Sequence, residues 1–251
     1  MQEKKLNQFS KIKDIVIPAA GMGTRLKHKT KNCPKILVKI YGKTILEHQL
    51  KILNQFNNFE RIHFILGYKS EMLKSFINSL NLSYEINFYL NDEFSNTGCS
   101  FSLMKVLREL KANFLYLNSD LIVSKESIKL LTESEKKNII LVRDIINKQE
   151  TVLQKVEIKD NKVVRMELTL DKPYNAEAVG PVKISSEAIR TILKIYDSLE
   201  PNISRQIPCY SLFGLFATKN ELSSQIISDN HWIEINNLED IENAKSFLLK
   251  Y

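Results

Sequence analysis

The run Ala19-Ala20-Gly21-Met22-Gly23-Thr24-Arg25 opens with small side chains and closes on a guanidinium. Small residues and glycines let backbone N–H groups approach a ligand closely, because no side chain stands in the way. Thr24 adds a hydroxyl. Arg25, Lys27, Lys29, Lys31 and Lys35 add cations, and no acid falls between Ile15 and Glu47. A bare backbone cradle followed by a basic segment suits a polyanion, most simply a nucleoside triphosphate. Two commoner phosphate motifs fail on single positions. The dinucleotide fingerprint needs glycine where Leu26 stands, and the Walker motif that Gly42-Lys43-Thr44 would complete needs glycine where Leu37 stands. Gly42 therefore reads as a turn and Thr44 as a helix cap.

Other candidates lie further along. Asn118-Ser119-Asp120 follows the apolar run Phe114-Leu115-Tyr116-Leu117, so Asp120 either ends a buried strand or stands at its ligand-binding edge. The polar stretch 91–102 runs into a helix. Its hydroxyls and amides could form a well-made turn, with Ser100 as the cap, or could read a nucleobase edge. In the segment 231–241, Asn236 or Asn237 could cap the last helix. His28, His48, His63 and His231 do not have metal-ligand spacing, and no Ser-His-Asp or Cys-His arrangement is apparent.

The elements that must position these groups follow from periodicity. Residues 15–17 form a short apolar strand ended by Pro18. Helical spacing over 44–56 and 69–80 alternates with strands at 62–66 and 84–90, and a further helix runs to residue 110. This β-α-β-α-β order implies a largely parallel sheet with helices on both faces, and ligands beyond the C-terminal strand ends. Residues 114–117 and 139–142 read as strands. Residues 124–131, 185–199 and 208–219 read as helices. Residues 152–158 and 163–168 alternate around Asp160-Asn161, a hairpin signal. Residues 1–13 are polar and basic and read as an N-terminal extension, leaving 14–251 as one domain.

The chain has 251 residues, 43% of them apolar, which is enough for one sizeable core. Its net charge is +7 and its pI about 9.1. The lysines are spread along the whole chain with no arginine-rich tract or nucleic-acid module, which favours attraction of a nucleotide over binding of a nucleic acid. Cys33, Cys99 and Cys209 are odd in number and far apart, as in a reduced, cytoplasmic protein. No apolar run has transmembrane length and no signal peptide is visible, so membrane insertion is not expected.

A-A-G-x-G-T-R followed nine residues later by Pro34-Lys35 resembles the signature of the sugar-phosphate nucleotidylyltransferase superfamily. The stretch 91–103 resembles the corresponding loop of its small CTP-dependent members. Residues 231–241 resemble the family ending W-x-E-I-D-t-x-x-D-l, with Asn236 where aspartate is usual. The resemblance covers 14–249. It implies a Rossmann-like α/β nucleotidyltransferase fold, with a mixed, mostly parallel sheet and a small β insertion on the acceptor side. It implies cytidylyl transfer from CTP to a phosphorylated small polar acceptor with release of pyrophosphate. Phosphoglutamine is the first choice of acceptor, then phosphocholine or 2-aminoethylphosphonate, in capsule or cell-surface polysaccharide modification. Mg²⁺ would be held by Asp120 and Asn236, with Arg25 and Lys35 catalytic beside Asp120. The nucleotide would meet Ala19 to Arg25, Lys35, Thr97, Gly98, Ser100 and Ser119.

On the acceptor side, Glu167 stands where the family often has lysine. Glu177 could meet an acceptor ammonium or pair with a neighbouring base. Lys183 could meet the acceptor phosphate or be a solvated strand end. The expected partners are CTP and the acceptor, and self-association as a homodimer stays open. Three other activities remain: sugar-1-phosphate nucleotidylyl transfer from UTP or dTTP, glycosyl transfer from a nucleotide sugar, and a non-catalytic nucleotide-binding regulator.

Overall fold

The computed structural model describes residues 12–145, 153–169, 173–219 and 222–250. The expected extension therefore lies outside the described residues up to position 11, as does Val152 at the start of the expected hairpin. Ile12 is already buried in the core, and its carbonyl accepts a hydrogen bond from Asn58.

The first strand, β1 (Asp14–Ala19), leads into two 3₁₀ turns, Thr24–Lys29 and Lys35–Leu37. A small hairpin of β2 (Lys39–Ile40) and β3 (Lys43–Thr44) turns at Tyr41 and Gly42, both with positive φ. Thr44 then caps α1 (Ile45–Leu53) in a capping box: Glu47 N–H donates to its hydroxyl at 3.1 Å, and its own N–H donates to the Glu47 carboxylate at 2.7 Å. Next come β4 (Arg61–Leu66), α2 (Ser70–Ser79), β5 (Glu85–Leu90), α3 (Cys99–Leu107) and β6 (Phe114–Tyr116). The chain continues through β7 (Leu121–Val123), α4 (Lys125–Thr132), β8 (Ile139–Asp144), β9 (Lys155–Lys159), β10 (Lys162–Glu167) and β11 (Ala176–Ile184). It closes with α5 (Ser186–Asp197), α6 (Pro201–Gln206), α7 (Cys209–Ala217), β12 (Ser223–Ile226), β13 (Trp232–Glu234) and α8 (Leu238–Leu248).

Among the described residues one mixed sheet runs β5-β4-β1-β6-β11-β8-β12-β10-β9. The four strands from β5 to β6 are parallel, as the alternation of short apolar strands with helices requires. β11 is antiparallel to both β6 and β8, and β9 with β10 forms an antiparallel hairpin whose turn holds Asp160 and Asn161 at φ +50° and +58°. Period-2 alternation divides β1 between two cores. Ile15 and Ile17 pack with Leu46, Leu50, Leu73, Ile77 and Ile128 from α1, α2 and α4. Val16 packs on the other face with Leu103, Ile189, Ile192, Leu212 and Phe213 from α3, α5 and α7. A third cluster seats α8, through Ile241, Ala244 and Phe247, on Leu26, Ile40 and Ile122.

This layout brings the loops after β1, β5 and β6 to one edge. β13 pairs antiparallel with β7, and Ile235 N–H donates to the Asp120 carbonyl at 2.8 Å. That pairing carries the chain's last loop across to the loop after β6.

Candidate active site

A cleft of about 330 Å³ opens at the strand ends. Ala19, Ala20, Gly21, Gly23, Arg25 and Lys35 border it on one side and Thr97, Gly98 and Cys99 on another, with Asn118, Ser119 and Asp120 between. Gly21 faces open space, so its backbone is accessible. Gly23 has φ +62°, a left-handed conformation that favours glycine, and a Cβ there would fall 2.9 Å from the Lys35 Cβ. Met22 and Thr24, both expected at the nucleotide, do not line the cleft.

Four polar side chains meet at its mouth. Lys35 Nζ donates to Asp120 Oδ2 at 2.6 Å and to Asn236 Oδ1 at 3.0 Å. Arg25 Nη2 donates to the same Asn236 oxygen at 2.6 Å. The Lys35 and Asp120 side chains are only 11% and 19% exposed, so the pair is largely screened from water. Asn236 does not cap the last helix. Asn237 does, receiving the Glu239 and Asp240 N–H groups, while Asp240 accepts from the Asn236 and Asn237 N–H groups.

The polar loop after β5 is organised by Asn91, buried, whose Nδ2 donates to Thr97 Oγ1 at 2.9 Å and to Ser102 Oγ at 2.7 Å. Its Oδ1 accepts from Glu93 N–H at 3.1 Å. Gly98 is held against α6: its N–H donates to Arg205 O at 2.7 Å, and a Cβ would lie 2.3 Å from Gln206 O. Ser100 corrects an expectation. It neither caps α3 nor borders the cleft. It is fully buried, and its hydroxyl has no hydrogen-bond partner among the described residues. Ser102, two residues later on α3, faces the cleft instead.

The expected acceptor residues also lie elsewhere. Glu177 is 1% exposed and committed to Arg143, at 2.6 and 2.8 Å, and to Lys155, so it pairs with neighbouring bases. Lys183 is 2% exposed, not solvated. It lies opposite Leu115 near the start of β6, away from Asp120, and donates to Ser134 O at 2.7 Å. Burial pushes its pKa down. Glu167, at the end of β10, lines a separate groove with α6 and α7.

A small cavity of about 170 Å³ shares Arg25, Asn118 and Tyr210 with the cleft and adds Gln154, Ala178, Val179, Glu234 and Asn236. The Gln154 Oε1 is buried without a hydrogen-bond partner among the described residues. Tyr210 Oη lies 2.9 Å from Gly180 O and 3.1 Å from Asn118 Oδ1, fixing the wall between the two spaces. Burial, helped by the Asp120 charge, pushes the Glu234 carboxyl up to about 7, against the pull of Lys35, Asn236 and Arg25. Asn91, Asn118, Gln154, Tyr210 and Glu234 were not singled out from the sequence. Glu234 stands as the glutamate of the W-x-E-I-D-like ending, and that motif position was the available signal.

The cleft thus joins a parallel α/β half, a glycine-rich loop at its edge and a cation pair on an acid and an amide. The chain belongs to the nucleotidyl transferase family, whose model matches residues 14–249. It is 24% identical over 238 residues to the bifunctional protein GlmU of Methanococcus aeolicus, covering 94% of this chain and 54% of that protein. It is 21% identical over 251 residues to the CTP:phosphoglutamine cytidylyltransferase of Campylobacter jejuni, covering 91% and 98%. The inositol-1-phosphate CTP transferase of T. maritima superposes with a TM-score of 0.78 at 17% identity, covering 95% and 96%, which shows the fold. The chain spans about half the length of the GlmU proteins it matches. Among the described residues no helix is long and apolar enough to cross a membrane.

Proposed function

We propose that the chain transfers a cytidylyl group from CTP to a phosphorylated small polar acceptor, releasing pyrophosphate. The observation that carries this reading is the meeting of Arg25 and Lys35 with Asp120 and Asn236 at the mouth of a glycine-walled cleft. The N–H groups of the loop through Gly21 and Gly23 hold the triphosphate. Arg25 neutralises its β- and γ-phosphates, and Lys35 stabilises charge building on the α-phosphate as an acceptor phosphate oxygen attacks in line. Catalysis is then mostly positioning and charge neutralisation. Held in place by the buried Asn91, the Thr97 and Ser102 hydroxyls and the Gly98 backbone offer small polar groups suited to a pyrimidine edge.

The residues fit Mg²⁺. The Asp120 carboxylate and the Asn236 amide oxygen are hard donors that already converge on one cation, the Lys35 ammonium, and Mg²⁺ fills its shell with phosphate and water oxygens. When bound, Mg²⁺ would neutralise phosphate charge there.

The small cavity is the place for the acceptor. Glu234 and the Gln154 Oε1, which has no hydrogen-bond partner among the described residues, suit an ammonium or amide group. Phosphoglutamine is the first choice, supported by the Campylobacter relative, with phosphocholine and 2-aminoethylphosphonate next. A CDP-linked product of this kind suits modification of capsule or cell-surface polysaccharide, and three free thiols suit the cytoplasm. A second reading, sugar-1-phosphate nucleotidylyl transfer from UTP or dTTP, is in keeping with a solved neighbour named UDP-glucose pyrophosphorylase. An ammonium held by a buried carboxylate contributes about 1.5–3 kcal/mol. Glu234→Gln should therefore raise the acceptor KM about tenfold and leave that for CTP nearly unchanged. An unchanged acceptor KM removes Glu234 from acceptor recognition.

A further inference from the structure

Two helices begin face to face at the cleft, and each begins with a cysteine. Cys99 is the first residue of α3 and Cys209 the first of α7. Both border the cleft, Cys99 exposed and Cys209 buried. The Cys209 N–H donates to Cys99 Sγ at 2.9 Å, which sets the two cysteines side by side. Cys209, with the N–H groups of α3, holds the Cys99 thiol below its usual pKa. The surrounding backbone is cross-braced. Gly98 N–H donates to Arg205 O at 2.7 Å, Gln206 Nε2 to Asn96 O at 2.8 Å, and Arg205 Nη2 to Glu93 Oε2 at 2.6 Å. The nucleotidyl-transfer scheme uses neither sulfur.

We propose that Cys99 and Cys209 form a redox-responsive dithiol at the base end of the cleft, which a hydroperoxide converts to a disulfide that weakens nucleotide binding. The Cys99 sulfur attacks one peroxide oxygen, and the other oxygen leaves as water after protonation. The resulting sulfenic acid is then attacked by the Cys209 sulfur, and its oxygen leaves as a second water with the Cys209 proton. The two sulfurs lose two electrons in total, and hydrogen peroxide gains them. A thiol reductant reverses the bond by exchange. An S–S bond of about 2 Å draws the two sulfurs together. The wall formed by Thr97, Gly98 and Cys99 must move with them. The effect on binding rests on the nucleotide reading above, whereas the bond itself does not.

The test is to treat the whole chain with equimolar hydrogen peroxide, then map it by mass under non-reducing, denaturing conditions. The expected product is one intramolecular Cys99–Cys209 disulfide with Cys33 free, and Cys33→Ser should behave alike. Cys209→Ser should stop at a sulfenic acid on Cys99 that dimedone traps. CTP affinity should fall at least tenfold on oxidation and return with dithiothreitol, and bound CTP should slow the reaction. Oxidation that goes first to Cys33, links two chains, or runs to sulfinic acid at Cys99 in the unsubstituted chain overturns the proposal. So does an oxidised chain with unchanged CTP affinity. Reduced protein that binds no nucleotide sinks the nucleotide reading by itself, and the mass map still decides the dithiol.

Discussion

Lys35 has one ammonium and two oxygens on it, Asp120 Oδ2 and Asn236 Oδ1, and this sharing defines what substitutions there should do. Lys35→Ala should slow turnover by about a hundredfold, as for loss of one group that stabilises charge in the transition state. Steady-state kinetics should show a smaller effect on CTP binding, and full activity would remove Lys35 from the mechanism. Asn236 carries the second test. Asn236→Asp should keep or raise Mg²⁺ affinity, since a carboxylate is a stronger hard donor than an amide. Asn236→Ala should weaken it, and wild-type behaviour would place the second ligand elsewhere. Lys35, Arg25 and Asp120, which the fold brings together with Asn236, were marked in the sequence by their local motifs. Gln154 was not, because its meaning depends on which distant strand lies beside it. Glu234 reaches the site only through the pairing of β13 with β7.

At the scale of elements, β1 sets the site because its C-terminal end becomes the glycine-rich loop that borders the cleft. Its other end is anchored by Asp14, fully buried, which accepts from Arg61 Nε at 2.6 Å and Nη2 at 2.8 Å, with His63 Nε2 at 2.7 Å from the same carboxylate. Burial opposes ionisation of Asp14, but the hydrogen bonds and charges of His63 and Arg61 together hold its pKa below the ordinary 3.8. A depressed folded-state pKa gives stability that is present above 3.8 and lost as pH falls through the folded value. Asp14→Asn should cost about 3 kcal/mol near neutral pH, as for breaking a buried pair. It should also flatten the decline of Tm below about pH 4. An unchanged acid limb would mean that another carboxylate governs it. The parallel half containing β1 was legible because its strands and helices differ sharply in period. β11 was less so: all nine of its residues are buried, so no alternation marks its faces. Glu177 and Lys183 thus read as functional groups on the acceptor side, whereas the strand buries one in an ion cluster and the other under Ser134.

Across the whole molecule, the cleft and the small cavity meet at Arg25, Asn118 and Tyr210, so two phosphorylated reactants could face each other across the Lys35–Asp120 pair. The fold and the glycine-rich edge of the cleft follow from local sequence, but the small cavity depends on strands brought together from residues 154–180 and 232–236. The most direct measurement is pyrophosphate release across four nucleoside triphosphates and a panel of phosphorylated acceptors, with Mg²⁺ present. Release should be greatest for CTP with a phosphorylated amine or amino acid, phosphoglutamine foremost. No release with CTP and any acceptor, or faster turnover of a sugar 1-phosphate with UTP or dTTP, would contradict cytidylyl transfer.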